Sequence, residues 1–216
     1  MAQTVTATFT LNTYPVTVSK AGTGSGTVTS APAGITCGAD CAGDFGHGTM
    51  LTLTAMPSAG STFTGWSGGG CSGTSTCVLT VTAAAATTAP FAADQVTLTV
   101  AKTGAGSGTV SSSPAGVNCG ADCTETVNYG TMITLSATPA GGSIFNGWTG
   151  GGCTGTGSCG VTLTAATTVT ADFALAPFAL SVTKAGTGTG TVTSSPAGIN
   201  CGADCTEPYT NGTSVT

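Results

Sequence analysis

The stretch Gly34-Ile35-Thr36-Cys37-Gly38-Ala39-Asp40-Cys41 decides the organisation of this chain, because it occurs three times. It returns as Gly116-Val117-Asn118-Cys119-Gly120-Ala121-Asp122-Cys123 and as Gly198-Ile199-Asn200-Cys201-Gly202-Ala203-Asp204-Cys205. The step in residue number is 119 − 37 = 82 and then 201 − 119 = 82, so the copies keep one period without drift. A constant period of this length is typical of tandem modules and not of one large domain.

The period also predicts where the modules begin and end. Residues 1–12 are predicted to be the last strand of a preceding repeat, because Val5–Phe9 matches Val169–Phe173 two periods later. Residues 13–94 and 95–176 are repeat modules 1 and 2, and residues 177–216 are a partial module 3. Linkers of only a few residues favour a stiff, elongated array. The orphan first strand and the incomplete third module indicate a window cut from a longer repeat protein, with a fragment prepared for expression as the alternative.

Alternating apolar and hydroxyl side chains predict an all-β fold with five to seven short, mostly antiparallel strands in each module. Both a small two-sheet β-sandwich and a β-grasp-like sheet fit this pattern. Tyr14–Val18 and Thr27–Ser30 flank a glycine-rich connection, which predicts a β-hairpin. The predicted core of module 1 is Val16, Val18, Val28, Leu51, Leu53, Phe63, Trp66, Leu79, Val81 and Phe91. Module 2 is expected to use the same positions one period later.

Two residues are expected to disturb the regular strands of module 1. Phe63 and Trp66 would face opposite sides of a regular pleat, so Gly65 between them predicts a bulge that turns both rings toward the core. Pro90 interrupts the last strand, which predicts that this strand lies at the edge of its sheet.

Composition excludes several classes of function. The chain has three lysines, no arginine, eight acidic residues and a net charge of −5, so it offers no basic patch to nucleic acid or anionic lipid. No run approaches the roughly 20 apolar residues of a membrane span. A single histidine and scattered carboxylates leave general acid–base catalysis without visible participants, so we predict no enzyme, no catalytic residues and no cofactor.

The ten cysteines fall into regular C-x3-C and C-x5-C pairs with almost no histidine beside them. We interpret them as local disulfides formed in an oxidising compartment. A four-thiolate zinc site or pairing between the two loops is the alternative, although C-x5-C is wide for zinc. The predicted disulfide positions are Cys37, Cys41, Cys71, Cys77, Cys119, Cys123, Cys153, Cys159, Cys201 and Cys205.

Other repeated residues admit a structural and a functional interpretation. Trp66 and Trp148 are typical of core anchors, and the alternative is a platform that stacks on a sugar ring. The aspartates at positions 40, 122 and 204 are expected to cap turns, since one carboxylate per loop is too few for calcium. The lysines at positions 20, 102 and 184 are expected to be solvated, with isopeptide bonds to asparagine as the alternative. Asn211-Gly212-Thr213 is an unrepeated glycosylation sequon.

One set of motifs carries a family resemblance over the whole chain. The set comprises Lys20-Ala21-Gly22-Thr23-Gly24-Ser25-Gly26-Thr27-Val28, Pro32-Ala33-Gly34-Ile35, the two cysteine loops, Phe63-Thr64-Gly65-Trp66 and a closing Val169-Thr170-Ala171-Asp172-Phe173. It resembles the divergent internalin-type B-repeat of large bacterial extracellular proteins. The resemblance implies a secreted or surface-displayed all-β spacer or adhesion module, and it implies neither a catalytic function nor a known ligand. The lack of a long apolar run predicts no membrane insertion in this segment.

These observations predict a non-catalytic structural segment of a large secreted or cell-surface protein. It would act as a disulfide-stapled stalk, an adhesin shaft or a component of an extracellular fibre. The expected partners are the neighbouring repeats of the same chain and further copies assembled into fibres, with Thr4–Phe9 pairing to a neighbouring sheet edge. The alternative is a module that binds a carbohydrate or a surface. It would use Trp66 and Trp148 or the Thr-rich strand faces at Thr52, Thr54, Thr80 and Thr82.

Overall fold

The computed structural model describes residues 3–216, and every regular element in that range is a β-strand. The chain folds as two compact units, which divide between Gln95 and Val96. Module 1 contains the strands β1 (Thr13–Ala21), β2 (Gly26–Ala31), β3 (Thr36–Cys37), β4 (Ala42–Gly46), β5 (Met50–Pro57), β6 (Ser61–Phe63), β7 (Cys77–Thr80) and β8 (Ala85–Ala93). The prediction of an all-β fold is confirmed. Because of the two-residue β3, module 1 has eight strands, which is one more than the largest number predicted.

The later part of the chain repeats this plan with seven strands and then two more. Module 2 contains β9 (Gln95–Thr103), β10 (Gly108–Ser113), β11 (Thr124–Asn128), β12 (Met132–Pro139), β13 (Ser143–Thr149), β14 (Cys159–Thr162) and β15 (Thr167–Leu175). The partial module 3 contains β16 (Pro177–Ser181) and β17 (Thr206–Thr210), which pair antiparallel with each other.

Each full module is a sandwich of two sheets. In module 1 the sheets have the strand orders β4-β1-β8-β6 and β3-β2-β5-β7, and in module 2 the orders are β11-β9-β15-β13 and β10-β12-β14. In each module the first strand runs parallel to the last, as β1 with β8 and β9 with β15, whereas strand pairs such as β1 with β4 and β10 with β12 are antiparallel. Of the two predicted topologies, the structure therefore has the sandwich.

The inward faces of the two sheets enclose one apolar core in each module. In module 1 the core joins Val16 and Phe91 of the first sheet to Val28 and Leu53 of the second. Eight of the ten predicted core residues are buried, while Phe63 and Leu79 are partly buried and pack against the cluster. The matching residues of module 2 form a separate cluster. Ile35 and Phe45 are also buried, although the alternation of the sequence did not identify them.

The predicted hairpin of β1 and β2 is wrong, because these strands belong to different sheets. The glycine-rich segment between them crosses from one sheet to the other over the end of β8. The amide of Gly24 donates to the Phe91 carbonyl at 2.8 Å, and a Cβ on Gly22 would overlap that same oxygen. Alternation alone identifies a strand but not its partner. A hairpin turn would not bring these glycines against the backbone of a third strand, as the crossover does.

The predicted bulge is present in both modules and brings the aromatic rings together. Gly65 has φ +121° and Gly147 has φ +141°, in the region that favours glycine. The ring centroids of Phe63 and Trp66 lie 5.1 Å apart, edge to face. In module 2 the register of β13 against β15 shifts between Phe145 and Gly147.

The prediction that Pro90 places β8 at a sheet edge is wrong, since β8 lies between β1 and β6. The Pro90 carbonyl accepts the amide hydrogen of Thr64, just beyond the end of β6. A strand residue directs its nitrogen and its carbonyl to the same side, so the missing N–H of Pro90 faces the place where the short β6 has already ended.

Residues 3–12 contain no strand in the structure, which differs from the strand predicted for residues 1–12; Met1 and Ala2 lie outside the described residues. The matching strands β8 and β15 each pair with two strands that precede them in the chain. Among the described residues, the segment 3–12 has no such preceding strands to pair with. Phe9 is accordingly 93% exposed, whereas its counterparts Phe91 and Phe173 are each 1% exposed.

Candidate functional site

The first cysteine loop is a tight turn stapled by a disulfide and held by an aspartate. Cys37 is bonded to Cys41, and Cys37 is fully buried in the core. Thr36 and Asp40 exchange backbone hydrogen bonds of 3.0 and 2.9 Å across the loop. The carboxylate of Asp40 accepts the amide hydrogen of Ala42 at 3.2 Å, which caps the turn where β4 begins.

This geometry recurs in the two other copies of the loop. Cys119 is bonded to Cys123, and Cys201 is bonded to Cys205. Asp122 and Asp204 accept the amide hydrogens two residues ahead at 3.0 Å. The repeated aspartates thus serve the backbone of their own loop and leave no set of oxygens arranged for a metal ion there.

The second cysteine loop lies over the tryptophan of its module. Cys71 is bonded to Cys77, and both are buried. The Trp66 indole N–H donates to the carbonyl of Ser75 at 2.8 Å, inside the loop that this disulfide closes. In module 2, Cys153 is bonded to Cys159 and Trp148 donates to the Gly157 carbonyl at 2.7 Å.

This arrangement contradicts the alternative that Trp66 and Trp148 form a sugar-stacking platform. Their exposed fractions are 5% and 2%, and each indole already has a hydrogen-bond partner within the module. A ring platform needs an accessible aromatic face, because stacking requires van der Waals contact. Both tryptophans are therefore core anchors, and each one ties its cysteine loop to the sandwich.

The repeated lysines are more than solvated side chains. The Nζ of Lys20 donates to the Gly26 carbonyl at 3.1 Å, across the crossover segment between β1 and β2. Lys102 and Lys184 make the same bond to Gly108 and Gly190, also at 3.1 Å. The ammonium group thus closes the crossover, a role that the sequence did not suggest.

A repeated serine has a role that the sequence did not suggest. The amide of Ile35 donates to the Ser30 hydroxyl oxygen at 2.9 Å, and that hydroxyl donates to the Pro32 carbonyl at 2.8 Å. Ser112 and Ser194 repeat this pair of bonds. The recurrence of the serine at the repeat period was the available signal, since a role inside the Pro-Ala-Gly turn leaves no other trace in the sequence.

The junction between modules 2 and 3 is a single residue that is bonded on both sides. The amide of Ala176 donates to the Gly142 carbonyl in module 2 at 2.9 Å. The Ala176 carbonyl accepts the amide hydrogen of Asn211 in module 3 at 2.8 Å. The Asn211 side chain, which belongs to the predicted sequon, also packs against the Gly142 turn, where a Cβ on that glycine would overlap it.

Each of the other two linkers makes one of these two hydrogen bonds. The amide of Asp94 donates to the Gly60 carbonyl of module 1 at 2.9 Å, as Ala176 does one period later. The carbonyl of Asn12 accepts the amide hydrogen of His47 at 2.8 Å, as that of Ala176 does for Asn211. Each of these linker residues thus repeats one of the two backbone hydrogen bonds that Ala176 makes.

The outward face of the second sheet carries hydroxyl groups, as the sequence suggested. Thr54 lies directly opposite Thr29, both half-buried, and Thr52 lies beside Val78 on the next strand. Thr80 is exposed at the end of β7, and Thr82 is exposed in the following turn. Binding of a glycan or a surface through this face stays a prediction.

Side chains that commonly hold metal ions are not clustered in the part of the chain that the structure describes. Within residues 3–216, no group of three or more His, Cys, Asp or Glu side chains is placed to hold a metal ion. Over the same range, every buried side-chain nitrogen and oxygen has a hydrogen-bond partner. The described part of the chain also lacks any helix with the length and apolar character needed to cross a bilayer.

Two stapled β-sandwiches of one design, joined by single residues, define a tandem repeat protein. The chain belongs to the divergent InlB B-repeat domain family, whose sequence model matches residues 14–95 and 97–177. The resemblance noted in the sequence is thereby confirmed.

The solved structures that match this chain share little sequence with it. The Bacillus anthracis TIE protein superposes with a TM-score of 0.50 at 10% identity, covering 83% of this chain and 37% of that one. The major pilin protein (T-13) of Streptococcus pyogenes serotype GAS131465 gives a TM-score of 0.34 at 11% identity, over 77% of this chain and 98% of that one. No curated protein sequence matches the chain. The likeness to the TIE protein shows the fold alone.

Proposed function

We propose that this chain is a non-catalytic spacer segment of a secreted or cell-surface protein and acts as a stiff, disulfide-stapled shaft. The observation that carries the proposal is the junction at Ala176, whose amide is bonded to module 2 and whose carbonyl is bonded to module 3. A linker of one residue with both backbone groups engaged leaves little freedom for one module to pivot against the next. A stiff string of modules holds whatever it carries at a set distance from its anchor.

The cysteine loops support an oxidising location for this shaft. Five local disulfides in 216 residues are typical of proteins outside the reducing cytosol. Intact-mass measurement of the purified chain before and after reduction tests the pairing, with an expected gain of about 10 Da for five disulfides. Proteolytic mapping without reduction should then recover Cys71 linked to Cys77 and no peptide that links the two loops of a module. Unchanged mass, or bound zinc, would contradict the proposed location and staples.

Small-angle scattering of the 216-residue chain tests the shaft. A compact globule of this length would have a radius of gyration of about 17 Å, and a stiff array must exceed that value clearly. The matched control inserts ten Gly and Ser residues after Ala176, which leaves the modules intact and frees the junction. We expect the insertion to broaden the distance distribution of the particle. If the unmodified chain scatters as a compact globule, or if the insertion changes nothing beyond its added mass, the shaft is refuted.

A further inference from the structure

We propose that each module is a mechanical clamp, built to resist a pulling force applied along the chain. The inference rests on the proposed shaft function and extends it, since a stiff spacer need not be resistant to force. It follows from the parallel pairing of the first and last strands of each module. The path of the chain determines where the force enters and leaves.

The clamp of module 1 is the parallel pair β1 and β8. Six residue pairs join them, from Val16 opposite Ala85 to Ala21 opposite Pro90. Module 2 repeats the pair as β9 and β15, again with six residue pairs, from Leu98 opposite Thr167 to Thr103 opposite Asp172. Both strands of each pair are interior strands of their sheet, so neither can peel away from an open edge.

Tension along the chain enters module 1 at the start of β1 and leaves it at the end of β8. Because the two strands are parallel, these two points lie at opposite ends of the pair. The force therefore shears all the hydrogen bonds between β1 and β8 together, and no bond can break alone. The one residue between β8 and β9, Asp94, passes the load directly into the clamp of module 2.

The buried side chains of the clamp strands oppose the same sliding motion. Val16 and Val18 of β1 and Ala89 and Phe91 of β8 all lie in the core, with exposed fractions of 4% or less. Sliding β8 past β1 would draw Phe91 away from the glycine crossover, where Gly26 leaves room for its ring. Shear thus breaks hydrogen bonds and apolar packing in one step.

The disulfides limit the extension that follows if a clamp does open. Both loops of module 1 lie between β1 and β8, with cysteine separations of 4 and 6 residues. Ten residues at about 3.6 Å each exceed the two Cα–Cα spans of 4.1 and 5.4 Å by about 27 Å. An oxidised module should therefore lengthen by about 27 Å less than a reduced one.

Single-molecule pulling in two directions tests the clamp on the full chain. In the shear arm, handles attach to the chain N-terminus and to a click-reactive residue that replaces Asp94. In the unzipping arm, the second handle replaces Ala83, an exposed turn residue just before β8. That handle and the N-terminal handle pull on the same end of the parallel pair, so the residue pairs open one at a time.

We expect the unfolding force of module 1 to be at least about twofold higher in the shear arm, because the bonds are then loaded together. Chemical denaturation of both handle proteins should give equal midpoints, which isolates pulling direction as the only difference. Equal forces in the two arms would overturn the clamp, as would an unfolding step that reduction does not lengthen.

A pair of variants without internal handles provides a second test. Ser19→Pro removes an amide on the side of β1 that faces β8, since the neighbouring Val18 amide donates to Cys41 in the opposite direction. Leu53→Ala removes core volume from the second sheet, outside the loaded strands. At matched loss of stability in denaturant, Ser19→Pro should lower the end-to-end unfolding force more than Leu53→Ala does. An equal effect would contradict the clamp. A high shear force in a chain that scatters as a globule would refute the shaft alone.

Discussion

The buried tryptophans combine apolar packing with one hydrogen bond that orders a loop. Trp148 is 2% exposed, and its ring centroid lies 4.9 Å from that of Phe145. Its indole N–H donates a hydrogen bond to the Gly157 carbonyl. We expect Trp148→Ala to lower the free energy of unfolding by about 3–5 kcal/mol, because it empties a core site and frees the loop. Urea denaturation followed by circular dichroism measures this loss. Thr162→Ala on the exposed end of β14 is the control and should change stability by less than about 0.5 kcal/mol.

The crossover glycines are required by close contact and not by turn conformation alone. Gly106 has an ordinary φ, yet a Cβ there would overlap the Ala174 backbone. Gly141 also has an ordinary φ, and a Cβ there would meet nothing within 4 Å. We expect Gly106→Ala to destabilise module 2 by about 1–3 kcal/mol, as overpacking does, and Gly141→Ala to be neutral. Similar midpoints for these two variants in thermal denaturation would contradict the close approach of the crossover to β15.

At the scale of the strand and the loop, the second disulfide is expected to stabilise its module by restricting the unfolded chain. Closing a loop of this length contributes roughly 2 kcal/mol in the chain-entropy account. The double variant Cys71→Ala, Cys77→Ala should therefore lower the stability of module 1 by about that amount. Chemical denaturation under oxidising conditions measures the loss. The control is wild-type protein in reductant, in which both modules should weaken together, whereas the variant should affect module 1 alone.

Strands were easier to predict than their partners. Alternating residues such as Val16 and Val18 identify a buried strand face wherever it lies, because the side-chain period of a strand is local. The pairing of β1 with β8 joins residues about 70 positions apart, and no local pattern encodes it. The glycines of the crossover therefore suggested a hairpin, and only the nearby Phe91 backbone reveals why they are glycines. The prediction of an edge strand from Pro90 failed for the same reason, since the effect of a proline depends on which neighbouring strand its nitrogen faces.

The candidate site was predictable where a residue acts within its own loop. The role of Asp40 as a turn cap needs only the backbone two residues ahead of it, so its loop spacing was sufficient evidence. The roles of Lys20 and Ser30 depend on where the crossover and the Pro-Ala-Gly turn place their carbonyls. Those positions are set by the sheets, which is why the sequence identified the repeated residues without their partners.

At the scale of the whole molecule, the two full modules have separate cores, each formed by residues of one repeat. In repeat proteins the total stability is close to a sum of module stabilities and nearest-neighbour terms. A cavity in one module should therefore unfold that module first and leave the other protected. Leu53→Ala and its counterpart Leu135→Ala test this, since both leucines are fully buried at matching positions and each change should cost about 2–5 kcal/mol.

Hydrogen exchange read by mass spectrometry separates the two modules in a single experiment. In Leu53→Ala, peptides from β1, β2 and β5 should lose protection, while those from β9, β10 and β12 keep the wild-type rates. In Leu135→Ala the pattern should reverse, which makes each variant the control for the other. Loss of protection in both modules from either change would mean that the modules fold as one unit. In that case a clamp could not open without releasing its neighbour, and the single-residue linkers would transmit unfolding as well as tension.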